Sequence, residues 1–196
     1  MKRLFDIVAS SLGLIVLSPL FVVLAVWIKA DSEGPVFYRQ TRVGRNNKNF
    51  RLFKFRSMRP GSDRAGLITV GGRDPRVTRS GYYIRKYKLD EFPQLINVLK
   101  GDMSLVGPRP EVRKYVDMYT AEQKRVLSVR PGITSLASIR YRNENDILAA
   151  SEDPDRTYIE QVMPDKLAID LEYVEHVGLL TDIKLIFTTF REIITK

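Results

Sequence analysis

Asp90 and Glu91 are adjacent carboxylates set between a strongly basic segment and Pro93. In that setting, helix-terminal charge lowers a carboxyl pKa and holds the group ionised. Consecutive side chains point in different directions on a helix or a strand, so the two would divide tasks instead of sharing one proton. One would attack an electrophile or bind a metal, while the other would orient or deprotonate. Capping of the helix that follows explains the same pair without any chemistry. About eighteen residues downstream lies Gly107-Pro108-Arg109-Pro110. Two prolines pin the backbone on either side of one arginine, a rigid mount for a fork-shaped cation that binds phosphate oxygens bidentately.

The chain has no cysteine and a single histidine, His176, so disulfides and thiolate metal sites are excluded and any metal or acid-base chemistry rests on carboxylates. The formal charge is +9, and between Arg39 and Lys88 the cations are opposed only by Asp63 and Asp74. A cationic face suits an anionic membrane, an anionic substrate or a nucleic acid. No helix-turn-helix, zinc-finger or RNP pattern accompanies it, so nucleic acid is not expected as a partner.

Residues 4–28 form a nearly continuous apolar run broken by Asp6 and by Ser18-Pro19. At about 1.5 Å per residue it can reach across the roughly 30 Å hydrocarbon core. Pro19 lacks an N–H and crowds the Ile15 carbonyl, which predicts a kink, with the Ser18 hydroxyl bonding the Leu14 carbonyl. Lys2 and Arg3 flank one end and Lys29 the other, positive charge that favours the cytoplasmic side at both. A single spanning helix kinked at Pro19 and a helix that dips in, breaks and returns both remain open.

The rest has the length of one domain. Extended segments are expected at Val36–Tyr38 and Phe50–Met58, then a glycine- and proline-rich loop from Arg59 to Arg76. Helices are expected at Thr78–Lys86, Pro93–Leu99, Pro110–Tyr119, Thr120–Ser128 with a Thr120/Gln123 capping box, Pro164–Val177, and Thr181–Ile194 with an apolar stripe, where Asp182 reads equally well as a terminal cap or as a functional residue. The fold class expected is α/β, helix-rich with a small sheet.

Ordered along this framework are Lys2-Arg3-Leu4-Phe5-Asp6, Ser18-Pro19, Gly34-Pro35-Val36-Phe37, Phe53-Lys54-Phe55-Arg56-Ser57-Met58, Leu89-Asp90-Glu91-Phe92-Pro93-Gln94-Leu95, Asn97-Val98-Leu99-Lys100-Gly101-Asp102-Met103-Ser104, Gly107-Pro108-Arg109-Pro110, Arg130-Pro131-Gly132-Ile133-Thr134 and Asp182-Ile183-Lys184. In these motifs the chain resembles, essentially end to end, the bacterial sugar transferases, the monotopic phosphoglycosyl transferases in their minimal catalytic form. The resemblance implies a re-entrant hairpin over residues 1–30 bent at Ser18-Pro19, a catalytic domain over 31–196, amphipathic interfacial helices, and residence on the cytoplasmic face of the bacterial inner membrane. It implies transfer of a sugar-1-phosphate from a nucleoside diphosphate-sugar, usually a UDP-sugar, to polyprenol (undecaprenyl) phosphate, releasing UMP, as a first membrane step of polysaccharide or glycoprotein glycan assembly. Asp90 would be the nucleophile and a Mg²⁺ ligand. Glu91 would position phosphates or assist the acceptor. Lys54, Arg85 and Arg109 would hold phosphates, the last from the platform that Pro108 stiffens. One departure stands out: where many relatives read Gly-Ile-Thr-Gly-Leu-Ala-Gln, this chain has Ser135 and Ser138, followed by Ile139-Arg140-Tyr141-Arg142-Asn143-Glu144-Asn145, which leaves the identity of the sugar open. The rival from another class is a non-catalytic membrane scaffold, which needs the apolar run and the basic face but not Asp90, Glu91 and Arg109.

Overall fold

The computed structural model of the protein describes residues 1–62 and 74–194. In chain order these form α1 (Lys2–Asp31), β1 (Phe37–Val43), β2 (Asn49–Phe55), α2 (Arg79–Lys86), α3 (Gln94–Lys100), β3 (Ser104–Val106), α4 (Arg113–Val116), β4 (Gly132–Thr134), α5 (Leu136–Arg140), α6 (Glu144–Ala149), α7 (Pro154–Thr157), α8 (Met163–Glu175) and α9 (Leu179–Ile194). β1 and β2 are an antiparallel hairpin in register from Phe37 opposite Phe55 to Val43 opposite Asn49. Its turn runs through Asn46 and Asn47, both in the left-handed region that asparagine tolerates. β3 and β4 pair in parallel, Ser104 opposite Gly132 and Val106 opposite Thr134. The result is the expected helix-rich α/β architecture with very little sheet.

α1 is long and apolar enough to cross a membrane, with mean hydropathy 2.5 over its most apolar stretch. It is helical through Ser18 and Pro19, without the expected interruption. The Ser18 hydroxyl donates to the Ile15 carbonyl at 2.8 Å, not to that of Leu14. The reason is local: Pro19 has no N–H to give Ile15, four residues earlier, so that carbonyl is the acceptor left free. Leu12, Ile15, Val16, Val22, Val23 and Val26 face outward, while Asp6, Ser10, Leu24 and Ile28 face the domain.

Both ends of α1 are fastened to that domain. Lys2 donates to the Val106 carbonyl at 3.1 Å and to the Tyr173 hydroxyl at 3.2 Å, and pairs with Asp182. Arg3 caps the C-terminus of α3 through the carbonyls of Val98 and Leu99, at 2.6 and 3.0 Å. Asp6, 2% exposed, accepts from the Ser104 hydroxyl and the Leu105 N–H, each at 3.1 Å. Lys2 and Arg3, read from sequence as charge favouring the cytoplasmic side, are therefore also bound by the protein. Asp182, with a cap of α9 as one of its two readings, is instead the buried counter-ion of Lys2 and also accepts from Tyr173 at 2.7 Å. At the far end, Arg56 donates to the carbonyls of Ile28 (3.1 Å) and Ser32 (2.6 Å), and Asp31 accepts from the Ser80 N–H at 2.8 Å. Phe21 meets Phe55 edge-on with centroids 5.0 Å apart, extending a core of Leu24, Ile28, Phe55 and Ile84.

A second core gathers Val43, Tyr115, Val116, Val126, Leu148 and Val162 among the later helices. The expected helix over Pro110–Tyr119 shrinks to α4, because the Glu111 carbonyl is drawn away to accept from the Val43 N–H at 2.9 Å. The capping box does form, Thr120 N–H to Gln123 Oε1 at 2.9 Å and Gln123 N–H to Thr120 Oγ1 at 3.2 Å, but a 3₁₀ helix (Gln123–Ser128) follows it. Part of the expected loop from Arg59 to Arg76 lies outside the described residues.

Candidate active site

Three short pieces of chain converge on the two carboxylates. The first is β2. Its alternation puts Leu52 and Lys54 on one face, where Leu52 packs on Val98 and Met103 beside α3. Lys54 thereby reaches the N-terminal side of α3, with its ammonium 2.9 Å from Glu91 Oε1 and 3.7 Å from Asp90 Oδ2.

The second piece is the tight 3₁₀ turn Leu89–Glu91 that carries the pair. α2 ends, and Lys88 takes up left-handed dihedrals (φ 56, ψ 23) that turn the chain straight into Leu89. For a residue with a Cβ this costs about 1 kcal/mol, a strain borne immediately before Asp90 and Glu91.

The third piece is the platform. The Gly107 N–H donates to the Thr134 carbonyl at 3.0 Å, and the Pro108 carbonyl accepts from the Gly132 N–H at 3.0 Å. The Pro110 carbonyl accepts from Arg42 at 3.1 Å, and Glu111 is held by Arg42 at 2.8 Å and by the Tyr158 hydroxyl. A β-carbon on Gly132 would fall 2.1 Å from the nitrogen of Gly107, the residue that follows β3, so the start of β4 approaches the end of β3 this closely only because Gly132 has no side chain. From this clamped backbone Arg109 reaches Glu91, at 2.5 Å to Oε1 and 3.3 Å to Oε2.

The two carboxylates are thus electrostatically unlike. Burial pushes Glu91 up, but Arg109 and Lys54 outweigh it and hold the group well below the usual carboxylate range. Burial raises Asp90, and Glu91 beside it adds to the rise, while Lys54, Arg85 and Arg109 oppose it incompletely. Ionisation of both by helix-terminal charge was the expectation. The expected lowering is not found at Asp90, which is raised because that carboxyl is 8% exposed and its nearest cation, Lys54, is spent mainly on Glu91. Asp90 makes no hydrogen bond among the described residues beyond its ion pair with Lys54, so its oxygens are uncommitted.

Of the residues singled out from sequence, Lys54, Asp90, Glu91 and Arg109 meet in one cluster, with Pro108 in the clamp behind it. Arg85 stands close enough to act on Asp90, but its side chain makes no hydrogen bond or ion pair among the described residues. Ser18 and Pro19 lie elsewhere, in the middle of α1. Sequence reasoning missed Arg42 and Glu111, which hold the platform, and Asn97, a wholly buried amide in α3. A polar residue at a core-facing helical position was the available signal for Asn97.

No group of three or more His, Cys, Asp or Glu side chains among the described residues could enclose a metal. Mg²⁺ needs no such cage, since it keeps several waters and binds through one or two carboxylates plus substrate phosphates. Asp90, with free oxygens, fits that donor set, whereas Glu91 is already shared by two cations.

The chain belongs to the bacterial sugar transferase family, whose model matches residues 1–196. It is 42% identical over 99% of its length to the UDP-N-acetylgalactosamine-undecaprenyl-phosphate N-acetylgalactosaminephosphotransferase of Aeromonas hydrophila, covering 44% of that protein. It is 37% identical over its full length to the UDP-glucose:undecaprenyl-phosphate glucose-1-phosphate transferase of Escherichia coli K12, covering 41% of it. It is 36% identical over 99% of its length to the UDP-glucose:undecaprenyl-phosphate glucose-1-phosphate transferase of Caulobacter vibrioides, covering 70% of that protein. The chain therefore spans less than half the length of the first two.

Proposed function

We propose that this protein is a phosphoglycosyl transferase that moves a sugar-1-phosphate from a UDP-sugar to undecaprenyl phosphate by way of an aspartyl intermediate. The observation that carries the reading is the division of labour in the dyad: Glu91 is neutralised by Lys54 and Arg109, while Asp90 keeps free oxygens beside the same cations. An Asp90 oxygen attacks the β-phosphorus, the bond to the α-phosphate oxygen breaks, and UMP leaves with that electron pair. A phosphate oxygen of the polyprenol phosphate then attacks the same phosphorus, releasing the Asp90 carboxylate and the polyprenol diphosphate-sugar.

Incoming phosphates compete with Glu91 for Lys54 and Arg109, so the cations are already placed where negative charge accumulates. Arg85 adds positive field at Asp90. Held by Asp90 and substrate phosphates, Mg²⁺ would neutralise charge at the reacting centre. Glu91 keeps the two cations from collapsing onto the nucleophile.

The membrane part of the proposal is that residues 1–30 enter and leave the same leaflet, with 31–196 as the catalytic domain on the cytoplasmic face. Its support is that Lys2, Arg3 and Asp6 at one end of α1 and Ile28 and Asp31 at the other bind the same domain, which is incompatible with the two ends lying on opposite sides of the bilayer. The outward face of α2 offers Arg79, Tyr82, Tyr83 and Lys86, with Tyr87 just beyond its end, and that of α9 offers Leu180, Phe187 and Phe190. Aromatic and cationic side chains together suit the headgroup region.

The test is UMP release by the detergent-solubilised protein with Mg²⁺ across a panel of UDP-sugars, with and without undecaprenyl phosphate. One donor should give release, and Asp90→Asn should abolish it while leaving membrane association intact. Full activity of Asp90→Asn would rule out the covalent nucleophile.

A further inference from the structure

The sheet that carries Lys54 is only two strands wide, and its outer edge would be expected to show unpaired backbone groups. Even-numbered residues of β2 sit opposite Gln40 and Tyr38 and share the ladder with β1, which turns the N–H and C=O groups of odd-numbered residues to the other side. Two of these meet a single side chain. Asn97 Oδ1 accepts from the Phe53 N–H at 2.9 Å, and Asn97 Nδ2 donates to the Arg51 carbonyl at 2.8 Å.

That pair of groups, the C=O of one residue and the N–H of the residue two further on, is what the N–H and C=O of one residue of a neighbouring parallel strand would engage. The Asn97 amide thus stands in for one residue of a third strand. The Phe53 N–H sets the orientation of the amide, since the reverse placement would oppose donor to donor. The amide is itself held: Nδ2 reaches Asp102 Oδ2 at 3.2 Å, and the Asn97 carbonyl accepts from the N–H groups of Gly101 (3.1 Å), Asp102 (3.1 Å) and Met103 (3.3 Å). Asn97 is 0% exposed.

We propose that Asn97 is a positioning residue: by pinning Arg51 and Phe53 of β2 to α3, it sets the distance from Lys54 to the Asp90/Glu91 turn that precedes the same helix. The inference rests on the transferase reading only in what Lys54 is for; the geometric claim stands apart from it. Leu52 alone cannot do this, because an apolar contact holds a strand to a helix without fixing its register. A one-residue slip of β2 would move Lys54 to the opposite face.

Two readouts test the proposal. The first is lysine acetylation of the folded, detergent-solubilised protein, read at Lys54 by peptide mass spectrometry. In the parent protein the ammonium is held by Glu91 and Asp90 and should react slowly; in Asn97→Ala it should react at least threefold faster, relative to an exposed reference such as Lys88. Asn97→Asp keeps the acceptor facing Phe53 and loses the donor toward Arg51, so it should lie between the two and serves if the alanine variant does not fold. Unchanged Lys54 protection in either folded variant overturns the proposal.

The second readout is a double-mutant cycle on UMP release. Asn97→Ala should lower kcat/KM at least tenfold in the parent and less than twofold when Lys54→Met is already present, which a merely structural loss would not reproduce. Equal losses in both backgrounds overturn it. A parent protein that releases no UMP from any UDP-sugar would refute the transferase reading and leave the acetylation comparison to decide the role of Asn97.

Discussion

At the residue scale, the dyad and its surroundings show how one fold separates carboxyl groups of the same chemical kind. Glu91 is kept ionised by direct contact with two cations, and Asp90, its immediate neighbour, is pushed the other way by burial. A third carboxyl lies behind the platform. Asp170 is buried next to the Arg109 backbone and the start of α5, its Oδ1 has no hydrogen-bond partner, and burial raises its pKa to about 6 from 3.8. A carboxyl raised on folding contributes its stability in the protonated form, fully below about pH 4, and loses it as pH rises through about 6. A shift of that size corresponds to about 3 kcal/mol. Asp170→Asn should therefore raise the melting temperature at pH 8 and leave it nearly unchanged at pH 4, which thermal unfolding at the two pH values checks. An equal change at both would mean that Asp170 is not held as a buried, proton-hungry group.

At the element scale, the decisive contact is between two very short strands. β3 and β4 are three residues each, yet their pairing sets where Arg109 starts. The Gly132 position leaves no room for a side chain, with the Gly107 nitrogen at 2.1 Å and its carbonyl oxygen at 2.6 Å from where a β-carbon would sit. Gly132→Ala must push β4 off Gly107 and break the bonds that hold Pro108. We expect a destabilisation of about 3 kcal/mol, at the upper end for overpacking, together with loss of UMP release. An alanine variant with parent stability and turnover would show that the close approach is not what mounts Arg109.

At the scale of the whole molecule, α1 is less an appendage than a wall of the domain. Its N-terminal turn closes over β3, α3 and α9, its C-terminal turn over β2 and α2, and only the outward stripe is left for lipid. The chain has no cysteine, so single cysteines added ahead of Met1 or placed at Glu33 report topology without background. Both should be protected from a membrane-impermeant maleimide in intact cells and labelled after lysis. Labelling of one end from outside would refute the re-entrant arrangement and require the contacts of Lys2 or Arg56 to be broken in the membrane.

The elements with a strong local signal were legible from sequence: the apolar run of α1, the capped helix α2, the proline-started α3 and the amphipathic α9. So were Asp90, Glu91 and Arg109, because residue type and spacing already limit what such groups can do, whereas Lys54 came only with the family resemblance. What the sequence by itself determined is the chemistry on offer, a carboxylate pair, three cations and an apolar segment, since charge, nucleophilicity and hydropathy belong to side chains wherever they lie. Only the tertiary structure decided which carboxylate is neutralised, that Lys2 and Arg3 serve the domain and not the lipid edge, and that Asp182 is a counter-ion and not a cap. Each of those outcomes depends on burial and on partners from remote parts of the chain: Asp182 meets Lys2 180 residues away, and Arg109 meets Glu91 only because two glycines let β3 and β4 close.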